Sequence, residues 1–385
     1  MMALLMDKIL IINQSSGYLV YDLAERLSSK YQITLISGGI VTNKPFISKV
    51  ISYFDYKRYS LFARFFSWTL FSFQCLVHLS LNPFRYKQII LYSNPPVLPF
   101  FLFPWSRRIT YVFFDLYPNA LMSFSNFKFF SVIYSLWINL SCPIFNKMIA
   151  IVFITDEMKS LFLDTYGKKL NSNLNFHVVP LWLDSNISSS LKNASDFSSS
   201  NVNSAVVSFF YSGNFGLTHP VEKIVNAFIA LPTDFPGQLS LFGSGSRFTH
   251  VRNISSSVSS INMGGFLSHS DYVAYLNHSD IGIVCIDTVS GNVSLPSKLF
   301  AMLACGLPIL AIAPHNSSLA KIVDKYQCGL VADPDVQFEI SEAFIRLGED
   351  GVLRDKFGRN SLLASSNFTK ENAKVFLDFL SVNSL

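Results

Sequence analysis

The chain has 385 residues, more than one domain of ordinary size needs, and its 50% hydrophobic share excludes a disordered protein. The 30 Lys and Arg residues against 25 Asp and Glu residues give a net charge of +5, and without a long basic run this excludes an extended nucleic-acid-binding face. Only 14% of the residues are charged and 15% are aromatic, against roughly 25% charged residues in ordinary soluble domains. This composition indicates a protein that is embedded in a membrane or works against one.

The amino-terminal half alternates between short apolar runs and helical patterns. It opens with a strand predicted at 8–12, a polar turn that ends at Gly17, a helical pattern over 19–27 and a second strand at 32–36. Further runs of strand length follow at 88–92, 109–114, 148–154 and 176–179. The alternation predicts a parallel sheet with helices on both faces, in which the glycine turn after the first strand approaches a ligand.

Three longer stretches without charged residues, at 65–84, 88–106 and 129–146, approach the roughly 20 residues that span a bilayer. Polar side chains such as His78 interrupt the first, prolines interrupt the second, and Asn139 and Pro143 interrupt the third. Because prolines and unpaired amides are unfavourable in hydrocarbon, we expect buried or interfacial segments rather than membrane spans.

Residues 186–204 are rich in Ser and Asn, which is typical of a solvated linker. A second alternating series follows, with strands predicted at 205–211, 238–242, 261–264, 281–286 and 308–312, and helices at 221–231, 271–277, 297–305 and 319–325. The chain is therefore predicted to be an α/β protein with two doubly wound, Rossmann-like domains that face a central cleft. The predicted boundaries are 1–185 for the first domain, 186–204 for the linker, 205–366 for the second domain, and 367–385 for a carboxyl-terminal helix that packs back on the first.

The five cysteines lie far apart and show neither the spacing of a metal site nor that of a disulfide framework. We expect buried thiols.

The stretch 294–308 is the most informative part of the second half. Pro296 can begin a helix, and the amides of Ser297 and Lys298 would then point at whatever precedes that helix. A helix amino terminus with a cation beside it is suited to a diphosphate. The alternative is a capped core helix with a solvated lysine.

Several short motifs occur in one order along most of the chain. In the second half they are Tyr211-Ser-Gly-Asn-Phe-Gly216, Leu241-Phe-Gly-Ser-Gly245, the strand and loop of 262–266, Pro296-Ser-Lys-Leu299 and Ala304-Cys-Gly-Leu-Pro308; in the first half they are Ser93-Asn-Pro-Pro96, Asp115-Leu-Tyr-Pro118, Thr155-Asp-Glu-Met-Lys159 and Val179-Pro-Leu-Trp-Leu-Asp184. The chain resembles family 4 glycosyltransferases of the GT-B architecture. More narrowly, it is similar to the subgroup that makes bacterial O-antigen and capsule sugars, such as N-acetylfucosamine transferases.

The resemblance implies transfer of a sugar from a nucleotide diphosphate, with retention at the anomeric carbon, without a catalytic metal ion and without a cofactor. It places the donor-binding residues at Gly17, Gly213, Asn214, Gly216, Ser297 and Leu299. The departing diphosphate needs positive charge. The Arg and Lys that many relatives use fall at Asn214 and His219, so Lys298 is assigned that role.

A second departure from the family concerns the ribose. Two glutamates that relatives carry eight residues apart fall at Val293 and Ala301, which leaves the ribose contact unassigned. Phe266, which follows Gly264 and Gly265, is the candidate wall of the nucleobase pocket; the alternative is an ordinary core aromatic.

Asp115 follows the predicted strand 109–114 at its carboxyl end, where a cleft residue belongs. The resemblance favours a role in orienting an acceptor or donor hydroxyl. The alternative is a helix cap before 116–121, because Asp is a favoured N-cap.

The segment 46–145 combines many aromatic residues with flanking basic residues, at Lys44, Lys49, Lys57, Arg58, Arg64, Arg85, Lys87, Arg107, Arg108 and Lys128. This pattern suits a surface that lies on an anionic membrane, where a lipid-linked acceptor would be found. The alternative is that these helices only cover the first sheet.

The sequence is therefore interpreted as a bacterial glycosyltransferase, peripheral on the cytoplasmic face of the plasma membrane. It would transfer a hexose or N-acetylhexosamine, from a donor that the resemblance implies is UDP-linked, to a polyprenyl-diphosphate-linked glycan. Three alternatives stay open: a nucleotide-sugar epimerase of the same fold, a non-catalytic subunit that binds a lipid carrier or partner enzyme, and an integral membrane protein.

Overall fold

The computed structural model describes residues 6–41, 44–57, 60–120, 130–191 and 206–382. Its internal contacts divide the chain into two compact units. The first consists of Met1–Leu181 with Lys370–Leu385, and the second consists of Trp182–Thr369.

The first unit contains a sheet of seven strands, all of them parallel. In chain order these are β1 Lys8–Asn13, β2 Gln32–Gly38, β3 Lys49–Tyr53, β4 Gln88–Tyr92, β5 Ile109–Val112, β6 Ala150–Phe153 and β7 Asn175–Val178. Their order in the sheet is β3-β2-β1-β4-β5-β6-β7. The order reverses between β1 and β4, which is where ligands collect in folds of this kind.

Helices follow most of these strands: α1 Tyr18–Ser28, α2 Leu61–Leu81, α3 Leu98–Phe101, α4 Phe130–Phe145 and α5 Asp156–Tyr166. Side chains cap two of them, since Ser60 accepts a hydrogen bond from the Ala63 amide and Thr155 accepts one from the Met158 amide. The predicted doubly wound arrangement is confirmed. The apolar runs of β1 and β4 are buried, as expected for a parallel sheet with helices on both faces.

The second unit has a parallel sheet of six strands in the order β10-β9-β8-β11-β12-β13. The strands are β8 Val207–Asn214, β9 Gly237–Ser244, β10 Ile261–Gly264, β11 Ile281–Cys285, β12 Ile309–Ile312 and β13 Gly329–Ala332. Its helices are α6 Ser185–Ser188, α7 Val221–Ile229, α8 Phe248–Ser255, α9 His269–His278, α10 Lys298–Ala304, α11 Ser318–Tyr326, α12 Gln337–Glu349 and α13 Gly351–Ser365. Val207, Phe209 and Tyr211 of β8 pack into the buried core together with residues of α7 and α12.

The carboxyl-terminal helix α14, Val375–Val382, belongs to the first unit. The Gln88 side chain donates a hydrogen bond of 3.2 Å to the Leu380 carbonyl, and the rings of His177 and Phe379 stack at 4.3 Å. Of the predicted linker 186–204, only 186–191 are among the described residues, so most of that prediction lies outside them. All five cysteines are buried, as expected.

The uncharged stretches 65–84 and 129–146 form most of α2 and α4. Both helices carry apolar side chains that face solvent at helical spacing. We name these sets the α2 stripe, which comprises Phe62, Phe66, Phe73, Val77 and Leu81, and the α4 stripe, which comprises Val132, Ile133, Leu136 and Leu140. Within the described ranges, no helix is long and apolar enough to cross a bilayer.

Candidate functional site

The site begins where β8 and β9 end side by side. β8 runs on to Asn214, three residues beyond its predicted end, and Gly213 pairs with Gly243 across the two strands. A Cβ at Gly243 would overlap the Gly213 carbonyl, and its φ of +143° is one that residues with a side chain rarely adopt. Glycine therefore lets the two strand ends approach more closely than side chains would allow.

The turn after β8 is tied to the end of β9 by backbone hydrogen bonds. The Phe215 amide donates to the Ser244 carbonyl at 2.8 Å, and the Arg247 amide donates to the Phe215 carbonyl at 2.8 Å. The exposed side chain of Asn214 lies against the backbone of Gly216 and Gly245. A Cβ at either glycine would therefore crowd it. The predicted residues Gly213, Asn214 and Gly216 thus belong to one fixed turn.

Helix α10 begins at Lys298 and has seven residues, whereas the sequence predicted a start at Ser297. The Leu299 amide donates to the Pro296 carbonyl at 3.2 Å, and the Phe300 amide donates to the Ser297 carbonyl at 3.3 Å. Because a tight turn already engages it, the Leu299 amide is not the free donor that was expected.

Lys298 is the most unusual side chain of the second unit. Its Nζ is buried and has no hydrogen-bond partner among the described residues. It lies 4.0 Å from the centroid of the Tyr211 ring and directly against Gly213, where a Cβ would overlap it. The alternative of a solvated lysine on a core helix is therefore wrong.

Burial also sets the charge states near Lys298. It lowers the lysine pKa to about 8, although Cys285 acts in the opposite direction. Burial and the nearby Lys298 together lower the pKa of His219 to about 3, and burial raises that of Cys285 to about 11. At neutral pH the ammonium is thus mostly protonated, while His219 and Cys285 are uncharged.

Phe266 follows β10 at the same edge of the sheet. Its side chain is 77% exposed, so the alternative of an ordinary core aromatic is wrong. The Gly243 amide donates to the Gly265 carbonyl at 3.1 Å, which brings the loop before Phe266 next to the end of β9. An exposed aromatic ring at this edge is suited to stacking on a flat ring system.

The two positions at which the family resemblance predicts glutamates are hydrophobic and buried. Val293 and Ala301 are each 3% exposed, so neither can contact a ribose. Beside Val293, the Asn292 Oδ1 is buried and without a hydrogen-bond partner in the described part of the chain. No local sequence pattern points to this amide.

Gly17 and Asp115 belong to the first unit. Gly17 is the N-cap residue of α1 in an extended conformation, and a Cβ there would meet nothing within 4 Å. No steric need for glycine at this position is therefore visible. The amides of Phe114 and Asp115 both donate to Ser93 Oγ, at 3.0 and 3.2 Å, so Ser93 fixes the backbone that carries this carboxylate.

The alternative role of Asp115 as a helix cap involves 116–121, of which Leu121 lies outside the described residues. Among the described residues, no three or more His, Cys, Asp or Glu side chains lie together in a group that could hold a metal ion.

Residues 194–362 match the family model described as Glycosyl transferases group 1. No curated protein sequence matches the chain significantly. Among solved structures, the chain is similar to a sucrose-phosphate synthase from Thermosynechococcus elongatus, with a TM-score of 0.72 and 13% identity over 98% of each chain. It is also similar to WaaG, a glycosyltransferase involved in lipopolysaccharide biosynthesis (TM-score 0.68, 14% identity, 96% of this chain and 99% of that one).

A third similar structure is HepE from Anabaena in complex with UDP and glucose, with a TM-score of 0.67 and 14% identity over 98% of this chain and 100% of that one. At such identities these likenesses establish the fold. The chain has the two-domain α/β fold of GT-B glycosyltransferases, and its second unit carries the group 1 glycosyl transferase match.

Proposed function

We propose that the protein is a retaining, metal-independent glycosyltransferase that uses a nucleotide-diphosphate sugar, with UDP as the nucleotide. The observation that carries the proposal is the Lys298 ammonium, which is buried, has no hydrogen-bond partner in the described part of the chain and lies against the glycine turn at the end of β8. A buried cation without an anion is unfavourable, and a bound diphosphate would supply that anion. The family match over 194–362 and the likeness to HepE, which binds UDP and glucose, support this choice.

In the proposed reaction, the bond between the anomeric carbon and the diphosphate oxygen breaks, and the acceptor oxygen bonds to the same face of that carbon. The diphosphate leaves with the bonding electron pair, and the acceptor proton passes to it. Lys298 stabilises the charge that develops on the diphosphate. His219 is neutral and can contribute a hydrogen bond but no charge.

The remaining donor contacts are assigned by position. Gly213, Asn214 and Gly216 present the turn backbone, Ser297 lies one residue before Lys298, and Phe266 offers its exposed ring to the base. We keep Gly17 as a contact from the first unit on the sequence resemblance alone. We withdraw the amide of Leu299 because Pro296 engages it.

The proposed acceptor is a polyprenyl-diphosphate-linked glycan of bacterial O-antigen or capsule synthesis, and the transferred group is a hexose or N-acetylhexosamine. Asp115 lies three residues beyond the carboxyl end of β5, which stops at Val112 rather than at the predicted 114. Its backbone is held by Ser93, and it would orient a sugar hydroxyl. The composition and the exposed helices of the first unit support a lipid-borne acceptor.

We further propose that the first unit binds the anionic cytoplasmic face of the plasma membrane through the α2 and α4 stripes. Helix α3 packs against both α2 and α4, so these elements are contiguous. Cations accompany exposed aromatic rings nearby: the Arg108 guanidinium lies 5.5 Å from the Phe84 ring centroid, and Lys147 Nζ lies 4.2 Å from that of Phe103. Apolar side chains next to arginine and lysine match a bilayer with acidic headgroups. Arg58 and Lys128 of the predicted basic set lie outside the described residues.

The decisive experiment is a transfer assay. The full-length protein is incubated with UDP-, GDP- and dTDP-sugars and a polyprenyl-diphosphate-linked acceptor, without divalent metal and with EDTA. We expect release of UDP and an α-linked product from an α-linked donor, identified by NMR. An inverted product would contradict retention, and a need for metal would contradict metal independence.

The same assay separates the competing functions. An epimerase would convert the donor without an acceptor, and a non-catalytic subunit would bind the nucleotide or lipid without turnover. Either result would overturn the proposed transfer.

A further inference from the structure

Tyr211 lies beneath Lys298 and contacts the glycine turn as well. Its side chain is fully buried in β8, and its ring centroid is 4.0 Å from Lys298 Nζ. Its hydroxyl donates a 2.7 Å hydrogen bond to the carbonyl of Asn214, three residues further along the same strand. One side chain thus contacts both parts of the proposed diphosphate site.

Among the described residues, no side chain forms a hydrogen bond with the Lys298 ammonium, so no carboxylate is paired with it directly. The titratable groups that face it are Tyr211 from β8, His219 from the following loop and Cys285 from β11, with Asp287 acting on Cys285. His219 and Cys285 are uncharged at neutral pH, as described above. The electron-rich face of the tyrosine ring is therefore the attractive partner of the ammonium, and cation–π attraction is strongest at such desolvated positions.

We propose that Tyr211 is a positioning residue for the donor. Its ring directs the Lys298 ammonium toward Gly213, and its hydroxyl fixes the turn 213–216, so that the cation and the turn backbone bind one diphosphate together. Because Gly213 has no side chain, the ammonium can occupy the space beside it. The inference rests on the proposed function of the site and adds the residue that orders it.

Two variants separate the two contacts. Tyr211→Phe keeps the ring and removes the hydrogen bond to Asn214, and Tyr211→Leu removes both. Phe209→Leu is the matched control, because Phe209 lies two residues earlier on β8, is equally buried in the same core and packs on Phe344 instead of Lys298.

We expect Tyr211→Phe to raise the donor KM several-fold, with the pH profile unchanged. In Tyr211→Leu the ammonium loses its attractive partner, so the alkaline limb of kcat/KM should move by about one pH unit to lower pH. Phe209→Leu should melt at a lower temperature and keep the KM and the limb of the wild type. An unmoved limb in Tyr211→Leu, a limb moved to higher pH, or the same shift in Phe209→Leu would overturn the proposal.

A readout without turnover keeps this inference distinct from the proposed function. The pKa of Lys298 is measured by NMR on protein labelled at lysine Cε, with its resonance assigned by its loss in Lys298→Met. A lower pKa in Tyr211→Leu than in Phe209→Leu supports the role of the ring even if no nucleotide sugar is turned over. Equal pKa values would reject that role even in an active enzyme.

Discussion

Folding removes the Lys298 ammonium from water, which disfavours its charged form. The pKa falls from 10.5 to about 8, so the folded chain binds this proton less tightly than the unfolded chain does. Below about pH 8 the charge opposes folding fully, and the opposition fades as the pH rises from 8 toward 10.5. A lysine whose buried charge destabilises the fold is suited to binding a ligand rather than to stabilising the protein.

We therefore predict that Lys298→Met gives a more stable but much less active protein. At pH 7, removal of the buried charge should stabilise the fold by on the order of 1–3 kcal/mol and raise the melting temperature by a few degrees. Turnover should fall about a hundredfold or more, as for the loss of one charge-stabilising donor. Lys356→Met, at an exposed position of α13, is the control and should leave both unchanged. Activity near wild type in Lys298→Met would remove Lys298 from the mechanism.

The same lysine predicts how nucleotide binding depends on pH. A diphosphate binds the protonated amine, so affinity for UDP should hold to about pH 8 and then fall by up to about tenfold per pH unit. His219, with a pKa of about 3, and Cys285, with a pKa of about 11, do not titrate between pH 7 and 9.5. Calorimetric titrations across that range measure the effect. A curve as steep in Lys298→Met as in the wild type would assign it to another group.

Substitution of Asp115 can distinguish a role of its carboxylate in the reaction from a structural role in the fold. Asp115→Asn keeps the backbone amide that donates to Ser93 and removes the charge. We expect turnover to fall by a factor of about a hundred, within the usual range for a positioned acid or base, with an unchanged melting temperature. Ser93→Ala, which removes the acceptor of two amides, should instead lower the melting temperature. Intact activity with lowered stability in Asp115→Asn would support a structural cap.

At the scale of elements, the alternation of strands and helices was predictable from the sequence. Strands and contacts that leave no local sequence pattern were not. Strand β3 lies at the edge of its sheet and is only partly buried, so it has no apolar run. The end of β8 reads as a turn because of Gly213, although pairing with β9 keeps it extended. The cation at Lys298 was predictable from its motif, but its contact with Tyr211 joins residues 87 positions apart and depends on tertiary packing.

The exposed leucines of α4 lead to an element-scale prediction. Leu136 and Leu140 are one helical turn apart and more than half exposed. Replacing both with Gln should lower binding to vesicles with acidic phospholipids by about tenfold or more, since their burial in lipid is lost. Val352→Gln with Leu363→Gln, at exposed positions of α13, is the matched control and should bind as the wild type does. Flotation at low salt measures the bound fraction, and a wild type that ignores acidic vesicles would end the membrane proposal.

For the whole molecule, the low charge content has two structural sources. Aromatic side chains fill the first unit, where Phe113, Phe145, Phe153 and Phe162 pack ring against ring. Others face solvent in the α2 stripe, so apolar composition serves both the core and a surface. In the proposed reaction the two units have different roles: the second binds the donor, and the first contacts the acceptor and the membrane.

This division predicts which ligands stabilise the protein. A nucleotide at a hundred times its Kd should add about 2.7 kcal/mol to the stability of the folded state, visible as a rise in melting temperature with UDP and UDP-sugars that exceeds the rise with GDP or dTDP. Phe266→Ala should reduce this rise for every nucleotide, because base stacking is lost whatever the base. Phe338→Ala, at a similarly exposed phenylalanine of α12, should leave it intact. If GDP stabilised the protein most, the nucleotide assignment would change while the diphosphate site stood. If no nucleotide raised the melting temperature of the wild type, and nucleotide affinity were the same in Lys298→Met, the buried ammonium would need a different anionic ligand.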